Sequence, residues 1–169
     1  MESSGTPPVT IRTATAADLA VLGRLGALLV RTHHDFDSLR FIPAMPGVEN
    51  AYGAYLGSQL GKRDIVVLAA EREGEVVGYT YAGVEASDYM ALRGPAGVVY
   101  DLVVDPAHRG QGIGRMLLEA TVAALERRGA PRVVLSTAER NETAQRLFAR
   151  AGFRRTMIEM TRERGGGTG

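Results

Sequence analysis

The chain has 169 residues, 45% of them hydrophobic, with a formal net charge of +1 and no cysteine. That length and composition suit one domain with a sizeable core, and they exclude disulfides, thiolate metal sites and a cysteine nucleophile. The near-neutral balance gives no bulk attraction to nucleic acid or membranes, and no apolar run approaches the ~20 residues of a membrane span. The opening "MESSGTPPVT" lacks the charged-then-apolar order of a secretory leader, so the expectation is a cytoplasmic protein.

Residues 1–8 and 164–169 are rich in glycine, proline and small side chains and are expected to be disordered tails around a single domain, 9–163. Val9 to Thr13 reads as a strand. Thr15 then opens a helix, with Asp18 placed for a capping box, and Leu19, Leu22, Gly26 and Leu29 recur at helical spacing until about His33. A second, weaker helix is predicted from about Glu49 to Leu60. "DIVVLAAERE" and "EVVGYTYAGVE" read as two strands joined at Glu73 and Gly74, with Tyr79, Tyr81 and Glu85 on one face. "VVYDLVV" is a β-branched strand. From Ile113 the pattern turns helical, and Gly129 and Pro131 stop it. "RVVLST" is a strand, Asn141 caps a helix that ends at Gly152, and "RRTMIEMTRE" is a closing strand. The order β-α-α-β-β-β-α-β-α-β predicts an α/β (α+β) fold, with a mixed sheet and helices on both faces.

"HRGQGIGRMLL", His108 to Leu118, places three glycines in five positions between a strand and a helix. Helix N-termini carry unpartnered N–H groups and partial positive charge, and a glycine-rich turn lets an anion reach them. Arg109 and Arg115 would add forked donors. The alternative is a tight turn that happens to be glycine-rich. Arg115 stands where the dinucleotide fingerprint needs its final glycine, and no G-x-x-x-x-G-K-[ST] occurs.

"DLVVDPAHRGQGIGRMLLEA" resembles the acyl-CoA-binding motif of the GNAT superfamily of N-acyltransferases, carried here by Arg109-Gly110-Gln111-Gly112-Ile113-Gly114. "NETAQRLFARAGF" is similar to that superfamily's second motif through Asn141, Ala144, Leu147, Phe148, Gly152 and Phe153. The resemblance implies a mostly antiparallel sheet of about six to seven strands and acetyl-CoA or another acyl-CoA as cosubstrate, with no metal. It further implies that amides from Arg109 to Arg115 hold the pyrophosphate. The edge of Leu102, Val103 and Val104 would run along the pantetheine arm, with Asn141 and Phe148 beside it. Asn141 read alone is also a sufficient helix cap.

Amine acylation requires loss of the ammonium proton, a donor for the developing oxyanion and a fate for the thiolate. The oxyanion donor is expected among the backbone amides of Leu102 to Val104, with Val103 as the central choice. Asp101 is the first candidate base or amine anchor, its face opposed to that of Leu102 and Val104, and a purely structural role is the alternative. Glu85 is the second candidate base, with Tyr79 and Tyr81 on the same strand. The resemblance implies a tyrosine acid where Phe148 stands, and phenylalanine has no proton to give; another donor would supply it, the chain would be catalytically weak or, preferably, the thiolate would leave unaided, at a cost of typically ~10²–10⁴-fold where acid assistance is lost. "HHDFD", His33 to Asp37, is either a metal site or, preferably, a substrate-facing loop. His108 is expected at the surface.

These readings predict an acetyl-CoA-dependent N-acetyltransferase acting by direct transfer in a ternary complex, with a small-molecule or peptide amine as acceptor. They predict no nucleic-acid or membrane partner. A non-catalytic acyl-CoA-binding domain is the alternative, and a nucleotide-phosphate-binding protein is a further rival. Only about one strand fits after Phe153, where the resemblance implies two, so a homodimer completed by strand pairing is a further expectation.

Overall fold

The computed structural model of the chain describes residues 7–165. Most of each expected tail therefore lies outside the described residues. Five strands form one sheet in the order β1-β2-β3-β4-β5: β1 (Thr10–Thr13), β2 (Ile65–Arg72), β3 (Glu75–Glu85), β4 (Ala96–Val104) and β5 (Val133–Leu135). The first three pairings are antiparallel and the last, β4 with β5, is parallel. Four helices flank the sheet: α1 (Leu19–Phe36), α2 (Val48–Gln59), α3 (Ile113–Arg127) and α4 (Glu142–Arg150).

Alternation along the strands divides the core between the two faces. Tyr79, Tyr81 and Val103 pack with Leu22, Leu25 and Leu56 of α1 and α2. Val66, Ala82 and Val99 pack with Ala124 and Leu125 of α3, and Val77 packs with Ile113 and Leu117. Burying these side chains is the main stabilising contribution, at roughly 1.5–3 kcal/mol for each large one. Between α3 and the sheet, Thr80 and Thr121 bond each other at 2.7 Å, and Thr121 also donates to the Leu117 carbonyl at 2.7 Å. That satisfies two hydroxyls in an otherwise apolar layer.

The helix opening at Thr15 forms as read. The Asp18 carboxylate accepts from the Thr15 amide at 2.7 Å and from its hydroxyl at 3.1 Å. It also receives both terminal nitrogens of Arg12, at 2.8 and 2.9 Å, while Arg12 Nε donates to Glu71 at 2.7 Å. One arginine thereby ties β1 to β2 and to the start of α1. The Arg12 guanidinium holds the Asp18 carboxyl down at about 2.

Two expectations are corrected. The helix α1 runs to Phe36, three residues past His33, so most of "HHDFD" is the last helical turn and not a loop. Among the described residues the closing strand is not formed: residues 154–163 make no ladder, and the sheet has five strands instead of six or seven. A strand needs a partner edge, and β5 offers only three residues, already paired to β4. Met157, Ile158 and Met160 are consequently 78%, 86% and 90% exposed. Arg40, after α1, pairs with Glu159 and anchors this segment.

Candidate active site

One irregularity in β4 shapes the site. Tyr81 of β3 pairs with Asp101 and the next residue, Ala82, pairs with Val99, so Tyr100 is an extra, bulged residue. The bulge turns Val99 towards α3 and Asp101 towards α1 and α2. It also coincides with the end of the β4–β5 pairing, whose last pair is Val99 with Leu135. Beyond that point β4 has a free outer edge. A cavity of about 700 Å³ lies along it, between Val99–Val104 on one side and Leu135–Thr137 and α4 on the other.

The glycine loop closes one end of this cavity. Gly110 and Gly112 have φ of 74° and 79°, backbone that a side chain would strain, and a Cβ at either would meet open space. Gly112 is the N-cap of α3, and the first bond back to it is Met116 N–H to its carbonyl at 3.1 Å. The amides of Ile113, Gly114 and Arg115 therefore have no intrahelical partner. Arg109 Nε donates to the Val104 carbonyl at 3.0 Å, fixing the loop against the free strand edge. Loop amides, helix dipole and free edge together fit a pyrophosphate with an amide-bearing arm trailing from it.

Of the twelve expected cofactor contacts, eleven line the cavity: Leu102, Val103, Val104, Arg109, Gly110, Gly112, Ile113, Gly114, Arg115, Asn141 and Phe148. Gln111 does not; it accepts from Arg72 at 2.5 Å on the outer side of the loop. Arg115 lies on the wall and pairs with Glu119 at 2.7 Å. Asn141 caps α4 by accepting from the Ala144 amide at 3.2 Å, and it also lines the cavity. The inward residues of α4, Ala144, Leu147 and Phe148, are only half-buried, because they face this cavity and not a packed core.

The Val103 amide, the central choice for the oxyanion donor, does not face the free edge. Asp105 N–H donates to the Val77 carbonyl at 2.8 Å, which fixes the alternation of this antiparallel ladder. Val103, two residues back and opposite Tyr79, has its amide turned to β3. The amides on the free edge are those of Leu102 and Val104.

Asp101 faces away from Leu102 and Val104 and is 7% exposed. Its Oδ2 accepts from the phenols of Tyr52 at 2.7 Å and Tyr79 at 2.8 Å. Burial pushes its carboxyl above the ordinary range, against the two hydrogen bonds and the nearby His33, which favour the charged form. Tyr52 reaches it from α2 because Gly26 of α1 leaves room: a Cβ there would lie 2.2 Å from the Tyr52 ring. Glu85 is held elsewhere, receiving Arg93 at 2.6 Å and Tyr100 at 2.6 Å, and is not on the cavity wall. Tyr81 bonds Tyr55 through the two hydroxyls at 3.0 Å.

Sequence reasoning missed Tyr52 and Tyr100; a tyrosine on a weakly amphipathic helix gives no local sign of what lies opposite it. His33 and Phe41 line the cavity at the end of α1, whereas His34 Nδ1 meets the Phe41 carbonyl at 2.8 Å. Among the described residues no cluster of His, Asp and Glu could hold a metal, and no helix is long and apolar enough to cross a membrane.

The chain resembles several known proteins. Mycothiol acetyltransferase of Thermobispora bispora is 42% identical over 91 residues, 54% of this chain and 30% of that protein. The protein of that name from Acidothermus cellulolyticus is 38% identical over 105 residues, 57% of this chain and 32% of the other. The chain thus spans about a third of the length of these curated relatives. Among solved structures, an aminoglycoside N-acetyltransferase in complex with CoA superposes with a TM-score of 0.76 at 17% identity, covering 97% of this chain and 99% of that one. A mutant form of the BH1408 protein of Bacillus halodurans gives 0.76 at 21%, covering 91% and 98%. At those identities the likeness shows the fold. Residues 34–153, which carry the bulged strand, the glycine loop and α4, match the model of the acetyltransferase (GNAT) family, to which this chain belongs.

Proposed function

We propose that the chain transfers the acetyl group of acetyl-CoA directly to a primary amine of a small molecule. The observation that carries this is the continuity of the cavity. It runs from the free amides of the α3 loop, past the unpaired edge of β4, to the end of α1. The loop amides would bind the pyrophosphate, and the Leu102 and Val104 amides would orient the arm and receive the developing negative charge on oxygen. Asp101 holds Tyr52 and Tyr79 and acts as a structural support behind the strand, the alternative to the base or amine anchor expected of it. The absence of cysteine favours direct transfer in a ternary complex over a covalent enzyme intermediate. Relatives named for mycothiol and aminoglycosides favour a small-molecule acceptor.

Phe148, on the cavity wall, favours the second reading, a domain that binds acyl-CoA without turnover. Calorimetry with acetyl-CoA, followed by a pooled amine panel with a free-thiol readout, separates the two. Binding with thiol release supports the transferase; binding without release from any amine supports the second reading. No binding removes both. The exposed, unladdered segment 154–163 supports pairing with a second copy, in a single-domain cytoplasmic homodimer. A monomer in sedimentation at micromolar concentration would count against the dimer.

A further inference from the structure

We infer that His33 is the group that takes the proton from the acceptor ammonium. This rests on the transferase reading above. The His33 ring is fixed in position and in tautomer. Its Nδ1 lies 2.9 Å from the Leu29 carbonyl oxygen, one turn back on α1. A carbonyl only accepts, so Nδ1 carries the hydrogen, and the neutral ring keeps its lone pair on Nε2. Phe36 and Phe41 hold the ring edge-on, with centroids 6.1 and 5.0 Å away. The side chain lines the cavity together with Phe41, Tyr100 and Val103.

The other candidates lack one of these properties. Asp101 is enclosed by two phenols and is not on the wall. Glu85 is neutralised by Arg93. His34 is bonded to the Phe41 carbonyl and lies off the cavity, and His108 lies at the phosphate end. Asp101 is still close enough to interact with the charge of His33.

The balance is as follows. Nε2 takes one proton from R–NH₃⁺, and the resulting imidazolium gives it to solvent at the cavity mouth. The amine lone pair forms the C–N bond to the thioester carbonyl carbon. The C–S bond breaks, its electron pair stays on sulfur, and the second nitrogen proton ends on that sulfur. The net products are the amide, CoA as the thiol, and one proton.

His33→Asn is the informative variant, because an amide nitrogen can keep the bond to the Leu29 carbonyl while the Nε2 lone pair is lost. We expect kcat/KM for the amine to fall about 10²–10³-fold. The dissociation constant of acetyl-CoA should stay within about twofold, as expected for loss of an interaction made in the chemical step. In His33→Ala, added imidazole should restore turnover, which a structural role would not produce. Nitrogen NMR of the imidazole in the wild-type protein reads the tautomer without any turnover; an Nε2–H tautomer would overturn the inference. So would a His33→Asn enzyme with kcat/KM within about threefold of wild type. A wild-type protein that binds acetyl-CoA but acetylates no amine fails at the earlier reading, and the inference falls with it.

Discussion

Asp18 and Asp101 are each 7% exposed, Asp18 near the surface and Asp101 deep in the core, and their carboxyls are displaced in opposite directions. Asp18 meets the Arg12 guanidinium through both oxygens and is held at about 2. Asp101 meets only neutral phenols, and burial pushes it up. Depth of burial and the charge of the partner together decide the charge of an enclosed carboxyl. Asp18 sits where β1, β2 and α1 are joined, and a full counter-charge suits a joint. Asp101 stands behind the cavity strand, where an incompletely compensated carboxyl can respond to a charge arriving in front of it.

The largest expected effect is on the compensated carboxyl. Arg12→Met leaves Asp18 and Glu71 facing each other without their cation. We expect a loss of about 2–3 kcal/mol, below the range for a fully buried pair because Arg12 is partly exposed. The wild-type contribution of Asp18 is complete above the ordinary carboxylate range and is lost as pH falls through about 2. Denaturant titrations from pH 6 to 2 should therefore converge for variant and wild type at the acid end, and curves that stayed parallel would contradict this account. Activity at neutral pH should be unchanged where the variant is folded.

Next in size is the support of Asp101 from α2. Gly26→Ala forces the Tyr52 ring away from Asp101, with an overpacking cost of about 1–3 kcal/mol. Unlike Arg12→Met, it should also lower kcat, because it moves a group behind the reacting strand. A full-rate enzyme with lowered stability would show that Tyr52 and Asp101 are only structural.

The uneven legibility of the sequence follows the same division. The elements up to the last helix were readable because each rests on local signals: the Thr15–Asp18 box, the Glu73–Gly74 turn, the Asn141 cap, the glycines before Ile113. The face of Asp101 was also readable, since alternation needs no partner. The closing strand was not, because a strand exists only if an edge receives it, and β5 is too short to do so. The extra residue at Tyr100 was equally hidden. "VVYDLVV" looks like an uninterrupted strand, yet that one residue decides that Leu102 and Val104, and not Val103, present free amides. Tyr52 escaped for a third reason: its role depends on the absence of a side chain at Gly26, 26 positions away.

Two smaller effects bear on Asp101 itself. Tyr79→Phe removes one of its two donors and should cost about 1 kcal/mol, the ordinary worth of a buried hydrogen bond. Asp101→Asn has the smallest expected effect at any single pH, and its sign makes it the sharpest. The folded protein favours the neutral acid at this site, so Asp101 contributes stability at low pH that is lost as pH rises through its raised value. An asparagine never ionises and can still accept from both phenols. The variant should match wild type near pH 4 and gain on it as pH rises through the raised value of Asp101 in thermal melts, whereas Asp18→Asn should lose ground over the pH range above its depressed value. Because each variant leaves the other carboxyl untouched, the two pH slopes are independent. If both variants lost stability with rising pH, Asp101 would be a compensated anion like Asp18. The contrast between joint and site would then have to rest on geometry alone.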